Sequence, residues 1–119
     1  MDNLVSARKA LCRRHRADFV DTPADAIVGV ADNVVTGAYP LNGLRHARGT
    51  TSGWFIWAGD DLGDDADFFK PLHAGHLAAR CPEALKWLGL GEGWRFLTAP
   101  DHEDVWFDRA LLVEPVRPR

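Results

Sequence analysis

The residues whose side chains are best suited to catalysis or binding lie in one stretch, SGWFIWAGDDLGDDADFFKPLHAGH, which runs from Ser52 to His76. Carboxylates follow an aromatic segment there, and two imidazoles follow the carboxylates. The side chains concerned are Asp60, Asp61, Asp64, Asp65, Asp67, His73 and His76. Such groups can bind a metal, exchange protons or contact a basic partner. The three functions need different spacings, so spacing is the first test.

His73 and His76 form an H-x-x-H pair. On a helix that begins near Pro71 they would share one face and could hold a metal together. The pair lacks both the glutamate of an H-E-x-x-H motif and a third ligand at fixed spacing. A packed helix, with His76 and Leu72 inside and His73 solvated, is the favoured explanation. We therefore expect no metal or other cofactor, with His73 and His76 as weak metal candidates.

The aspartates do not match a calcium-binding loop. Gly63 could make the sharp turn, but no glutamate closes the loop. Asp67 can instead cap the segment that follows it. The acidic run is therefore predicted to be a solvated loop, with contact to a partner as its functional alternative.

No complete catalytic constellation appears elsewhere in the sequence. His102, Glu103 and Asp104 are consecutive, so their side chains point in different directions, and a hairpin turn explains them better than a proton relay. There is no G-x-S-x-G motif, phosphate-binding glycine loop or G-x-G-x-x-G. Cys12 would have a lowered pKa in a basic helix if exposed, but no base is placed beside it. The sequence predicts a protein without enzymatic activity.

Charge is unevenly distributed along the 119 residues, although the net charge is only −3. Residues 1–16 carry five basic side chains and one acidic one, whereas residues 59–68 have a net charge of −5 and residues 101–108 of −4. This separation favours a basic protein partner or a self-complementary homodimer, and it disfavours nucleic acid as a ligand of the acidic segments.

The composition is that of one globular domain, with 46% hydrophobic residues. No apolar run is long enough to cross a membrane. The N-terminal charges lie after and within the apolar residues, the wrong order for a secretory signal, so a bacterial cytoplasmic protein is expected. Cys12 and Cys81 are too few and too scattered for a disulfide scaffold, which predicts free thiols.

The apolar pattern predicts a helix over residues 3–16, with the arginines on its outer side, and a buried strand that begins near Ile27. Breaks follow at TGAYPLNG and LRHARGTTSG. GWFIWAG is a strand with apolar residues on both faces, hence central. Pro71 and Pro82 begin helical segments, and residues 93–108 form a β-hairpin.

This order predicts an α+β fold: a single domain with a mixed or mainly antiparallel sheet, an N-terminal helix and a central helical segment. Residues 1–26 are the basic helix and linker, residues 27–112 the α+β domain, and residues 113–119 a flexible tail.

Several short motifs resemble a known family. They are ADNVV followed by Gly37, the SGW of Ser52–Trp54, the GDD of Gly59–Asp61, and CPEALKWLGL. In this order they are similar to the thirty-third family of bacterial immunity proteins from polymorphic toxin systems. The similar region runs from about Ile27 to about Asp108. Asp61 stands where the family usually has glutamate, and the aromatic hairpin is richer in aromatics than is typical of the family.

The resemblance implies a non-enzymatic protein that binds and neutralises a cognate toxin domain. Many toxin domains have basic active-site clefts, which an acidic loop could occlude. The partner-binding residues are therefore expected to be Trp57, Asp60, Asp61, Asp64, Asp65, His102, Glu103 and Asp104. The alternatives are a housekeeping module that binds a protein or small ligand, and a small metal-dependent enzyme that uses His73 and His76.

Overall fold

The computed structural model describes residues 3–47, 49, 51–59 and 68–113. In this part of the chain a six-stranded mixed sheet is combined with short helical segments, which confirms the predicted α+β class. The helices and strands are α1 (Asn3–His15), β1 (Ile27–Ala31), β2 (Leu41–Arg45), β3 (Trp54–Ala58), β4 (Phe69–His73), α2 (Leu77–Arg80), β5 (Trp94–Ala99) and β6 (His102–Phe107). 3₁₀ turns span Ala74–His76, Pro82–Trp87 and Arg109–Leu112. No helix in these residues is long and apolar enough to cross a membrane.

The strands lie in the order β4-β1-β3-β2-β5-β6. β1 and β3 are parallel and the other neighbours are antiparallel. β3 is a central strand, as predicted, because it pairs with both β1 and β2. Its residues alternate: Trp54 and Ile56 face one side of the sheet, and Phe55 and Trp57 face the other.

The hydrophobic core lies between the sheet and the layer formed by α1, α2 and the 3₁₀ turn at Pro82–Trp87. The Trp87 ring stacks on Phe96 of β5, with centroids 4.9 Å apart and an interplanar angle of 8°. Trp54 of β3 packs on the same Phe96 ring, and its indole N–H donates a hydrogen bond to the Thr22 hydroxyl. These contacts fix the helical layer to one face of the sheet.

The prediction of a break and a loop over residues 36–53 was wrong for Leu41–Arg45, which forms β2. Asn42 and Gly43 are typical turn residues and concealed the strand. In the sheet both residues are paired with strands on two sides, since β2 pairs with β3 on one side and with β5 on the other. The strand is therefore held by tertiary pairing that overrides local propensity.

The prediction that a helix begins near Pro71 was also wrong. Phe69–His73 pairs antiparallel with β1, from Ala31 opposite Phe69 to Ile27 opposite His73. Proline is tolerated in β4 because β4 is an edge strand. The α-helix begins only at Leu77.

Two local predictions need correction. The hairpin between β5 and β6 is present, but its turn consists of Pro100 and Asp101, and residues 102–104 belong to β6. α1 has the predicted extent, yet Arg8 is buried among the core residues and does not lie on the outer side with the other arginines. Its Nη1 donates to the Asp21 carboxylate at 2.8 Å, which neutralises the buried charge.

Candidate functional site

The face of the sheet opposite the helical layer, here called the open face, carries the residues of greatest interest. Strand alternation and register assign its side chains. They include Phe69 of β4, Phe55 and Trp57 of β3, Asn42 and Leu44 of β2, Arg95 and Leu97 of β5, and His102, Asp104 and Trp106 of β6. The open face is thus apolar and aromatic over β3 and β4 and becomes polar towards β6.

One cross-strand row joins the two predicted binding segments. Trp57 is opposite Asn42, Asn42 opposite Leu97, and Leu97 opposite Asp104. Three strand spacings of about 4.8 Å put Trp57 and Asp104 about 14 Å apart on one face. Trp57, His102 and Asp104 therefore share the open face, although 45 residues separate the first two in sequence.

An apolar pocket of about 190 Å³ opens on this face and is lined by Leu44, His46, Phe55, Trp57 and Phe69. Perpendicular ring contacts join its walls: Phe55 lies 5.1 Å from Phe69, and His46 lies 5.6 Å from Phe55, between ring centroids. Trp57 lines the pocket and is only 6% exposed, so most of its ring is packed against neighbouring residues. Aromatic edges and an imidazole thus surround a small concave surface.

Gly29 of β1 makes room for this pocket. A Cβ atom at Gly29 would lie 2.8 Å from the Phe55 ring, closer than such contacts occur. The ring can lie over β1 because Gly29 has no side chain, and from there it contacts Phe69 on the far side of β1.

The charges along β6 are locally paired. The His102 imidazole contacts the Asp104 carboxylate at 2.8 Å on the open face, and both side chains are exposed. Glu103 faces the opposite side and pairs with Lys86 at 2.9 Å. Asp108 pairs with Arg95 at 3.0 Å. The field of this edge is therefore weaker than the count of its carboxylates indicates.

Other candidate residues lie apart from the open-face pocket or outside the described residues. Asp60, Asp61, Asp64 and Asp65 belong to the latter group, so their predicted contact role stays a prediction. His73 ends β4 and His76 lies in the following 3₁₀ turn, with their ring centroids 5.5 Å apart. No group of three or more potential metal ligands occurs within the described part of the chain.

Sequence reasoning named one of the five pocket residues, Trp57, as a binding candidate and missed the other four. Phe55 was placed in the predicted central strand but was not proposed as a contact. Leu44 and His46 lie in or directly after β2, in the segment expected to be a loop. Phe69 was assigned to the start of a helix. The available signal was the aromatic pair Phe68–Phe69 before Pro71, which suits an edge strand better than a helix interior.

The two cysteines are free thiols, as predicted, and both are buried. Burial, supported by the nearby Asp18 carboxylate, raises the pKa of the Cys12 thiol. Burial together with Glu83 raises the pKa of Cys81 to about 11. The basic helix therefore does not activate Cys12, since the thiol is directed into the core.

We expect neither cysteine to react with iodoacetamide in the native protein at pH 8. The thiolate is the reactive form, and a pKa of about 11 leaves roughly one Cys81 thiol in a thousand ionised at that pH. Intact-mass spectrometry should show no adduct in buffer and two adducts in 6 M guanidinium. Rapid native labelling of Cys12 would contradict its burial in the core.

Comparison with models of protein families shows which family the chain belongs to. A family model described as the Imm33-like domain matches residues 7–108. The chain belongs to the Imm33-like domain family. The match includes most of α1, whereas the resemblance read from the motifs begins near Ile27. Neither a curated protein nor a solved structure matches the chain.

Family membership makes this Imm33-like domain an immunity-type protein in general terms and favours a non-enzymatic role. The family match spans all six strands, including the residues of the open face. Both the aromatic pocket and the β5–β6 hairpin therefore lie within the family domain, not in an appended segment.

Proposed function

We propose that this Imm33-like domain binds and neutralises a cognate protein toxin through the open face and the acidic run after β3. The observation that carries the proposal is the aromatic pocket on the open face of an immunity-type domain. The toxin is expected to be basic where it makes contact. Nucleic acid and membrane are not proposed as ligands.

The pocket supports binding because of its shape and lining. Protein interfaces concentrate their affinity in a few apolar or aromatic side chains that enter well-packed pockets. Phe55, Trp57 and Phe69 provide rigid walls with few rotamers to immobilise, so an incoming side chain loses little affinity to their ordering. A volume of about 190 Å³ is suited to one apolar side chain of the partner.

Charge supports a basic partner. Trp57 forms a wall of the pocket, and the acidic run begins three residues after it, at Asp60. On the same face, Asp104 carries a further exposed carboxylate at the β6 edge. The Glu103 side chain faces the helical side and pairs with Lys86, so it is not part of the proposed open-face surface. Negative charge beside an apolar pocket steers and orients a positively charged partner.

The test is binding to a purified toxin domain, sought first among the products of the genes adjacent to this one. Reversal of Asp60, Asp61, Asp64 and Asp65 to lysine should weaken the complex at least about a hundredfold, mainly through like-charge repulsion and slower association. Isothermal titration gives the affinity, and stopped-flow mixing at two salt concentrations gives the association rate. Cells that produce the toxin should lose protection in parallel.

Two further variants make the result specific. Asp18→Lys with Asp25→Lys reverses exposed charges outside the proposed surface, and we expect it to change affinity less than about threefold. Phe69→Ser removes one wall of the pocket and should weaken binding about tenfold or more while circular dichroism stays unchanged. Full protection by the quadruple variant would refute the acidic contact, and full affinity of Phe69→Ser would refute the pocket.

A further inference from the structure

Among the described residues, β6 is the last strand of the sheet and is paired with β5 on one side only. Asp108 N–H donates to the Gly93 carbonyl at 2.7 Å, and the two-residue turn closes on the Ala99–His102 pair. Hydrogen-bonded and non-bonded pairs alternate between these ends of the antiparallel ladder. The N–H groups of Glu103, Val105 and Phe107 therefore point away from β5, at the free edge.

The other edge of the sheet carries proline and lysine, which obstruct strand addition in general, whereas β6 carries carboxylates, which repel an acidic strand but not a basic one. β4 has Pro71 at its centre, which cannot donate to a ladder, and Lys70 beside it. Proline and lysine are the usual protection of sheet edges. β6, with the sequence HEDVWF, contains no proline, glycine or lysine.

We propose that β6 is the docking edge for a basic β-strand of the toxin, which would extend the sheet to seven strands. This inference rests on the proposed function and specifies how the partner engages. Main-chain hydrogen bonds from Glu103, Val105 and Phe107 would hold the added strand. Strand addition at an exposed edge is a general mode of peptide recognition.

Exposed aromatic side chains flank this edge on both faces of the sheet. Trp106 is 39% exposed on the open face and Phe107 is 46% exposed on the helical face. Arg95 lies against Trp106, 5.3 Å from its ring, and so holds the indole at the edge. An added strand would contact both rings, since cross-strand neighbours on one face lie within side-chain reach.

Charge selects the occupant of the edge. Residues 101–108 have a net charge of −4, and their ion-pair partners Lys86 and Arg95 reduce it to −2. Two copies of β6 paired with each other would bring these like charges together, which disfavours a homodimer at this edge. A strand with lysine or arginine would be attracted instead.

Amide hydrogen exchange tests the inference on the full 119-residue chain, free and in complex with the toxin domain of the binding test. In the complex the amides of Glu103, Val105 and Phe107 should exchange at least about tenfold more slowly than in the free protein, because each gains a hydrogen-bond acceptor. The amides of β4 should be unaffected. Slow exchange at the β6 amides of the free protein at high concentration would instead indicate self-pairing and overturn the inference.

Glu103→Pro and Glu103→Ala form a matched pair. Both remove the ion pair with Lys86, but only proline removes the outward N–H. Glu103→Pro should weaken binding about tenfold or more relative to Glu103→Ala, since one edge hydrogen bond is lost and the ring obstructs the added strand. Equal affinities, or a complex without protection of the three amides, would overturn strand addition and leave the proposed function intact. Absence of any complex would overturn both.

Discussion

Arg45→Met is expected to lower the free energy of unfolding by about 4 kcal/mol, because it removes the donor from a buried hydrogen-bond network. Arg45 ends β2 and is 1% exposed. Its guanidinium donates to the carbonyl oxygens of Ser52 at 2.9 Å, Val20 at 2.6 Å and Leu90 at 2.7 Å. These carbonyls belong to three separate segments that converge on the end of β2.

The size of the effect follows from what methionine leaves behind. Methionine fills a similar volume, so the cavity is small, but the acceptors on three segments lose their shared donor. Each buried acceptor without a partner costs about 1–3 kcal/mol. The Arg45 guanidinium also lies 5.6 Å from the Trp54 ring, and this cation–π contact is lost as well.

Urea denaturation followed by tryptophan fluorescence measures the prediction. Arg109→Met is the matched control, since Arg109 is exposed in the 3₁₀ turn at Arg109–Leu112. This control should change the free energy of unfolding by less than about 0.5 kcal/mol. Arg45→Lys keeps the charge but not the planar donor geometry, so it should recover only part of the loss. A loss below about 1 kcal/mol for Arg45→Met would show that the network does not stabilise the fold.

Elements with a strong apolar pattern could be predicted from the sequence alone. β3 has apolar residues on both faces, which fits a central strand, and the first strand of the β5–β6 hairpin follows an alternating pattern over residues 94–99. α1 follows its apolar stripe. In each of these cases local pattern and tertiary environment agree.

Where the two disagree, prediction from the sequence failed. β2 contains Asn42 and Gly43, and its glycine is required by a ring on the next strand, not by a turn. β4 contains Pro71, which is tolerated because β4 is an edge strand of the sheet that the described residues form. Arg8 and Arg45 are buried although arginine is usually exposed. Their burial depends on an acceptor set assembled from distant segments, which no local pattern reveals.

The candidate site shows the same limit. Trp57 lines the pocket and lies in one cross-strand row with Asp104. Both facts depend on the order of the strands in the sheet. Two strands, β2 and β5, separate β3 from β6, and one of them was not predicted. Residue chemistry thus identified Trp57, His102 and Asp104 as candidates, while the shared face follows only from the register of all four strands.

Gly43→Ala is expected to lower the free energy of unfolding by about 3 kcal/mol, at the upper end of the usual cost of overpacking. A Cβ atom at Gly43 would lie 2.1 Å from Cε2 and 2.6 Å from Cζ of Phe96. The Phe96 ring cannot move aside freely, because Trp87 stacks on it and Trp54 packs on it. Phe96 and Trp87 are both at most 1% exposed, so the strain passes into the core.

A double-mutant cycle separates this steric clash from any intrinsic effect of alanine in β2. Phe96→Leu reduces the ring to a smaller, flexible side chain, so Gly43→Ala should cost at least about 1.5 kcal/mol less in that background than in the wild-type protein. Gly49→Ala is the control, since a Cβ there meets no atom of the described residues within 4 Å, and it should change stability by less than about 0.5 kcal/mol. Thermal and urea unfolding give the four free energies. A cycle with no coupling between positions 43 and 96 would contradict the close packing that allows β5 to lie beside β2, and with it the row that joins Trp57 to Asp104.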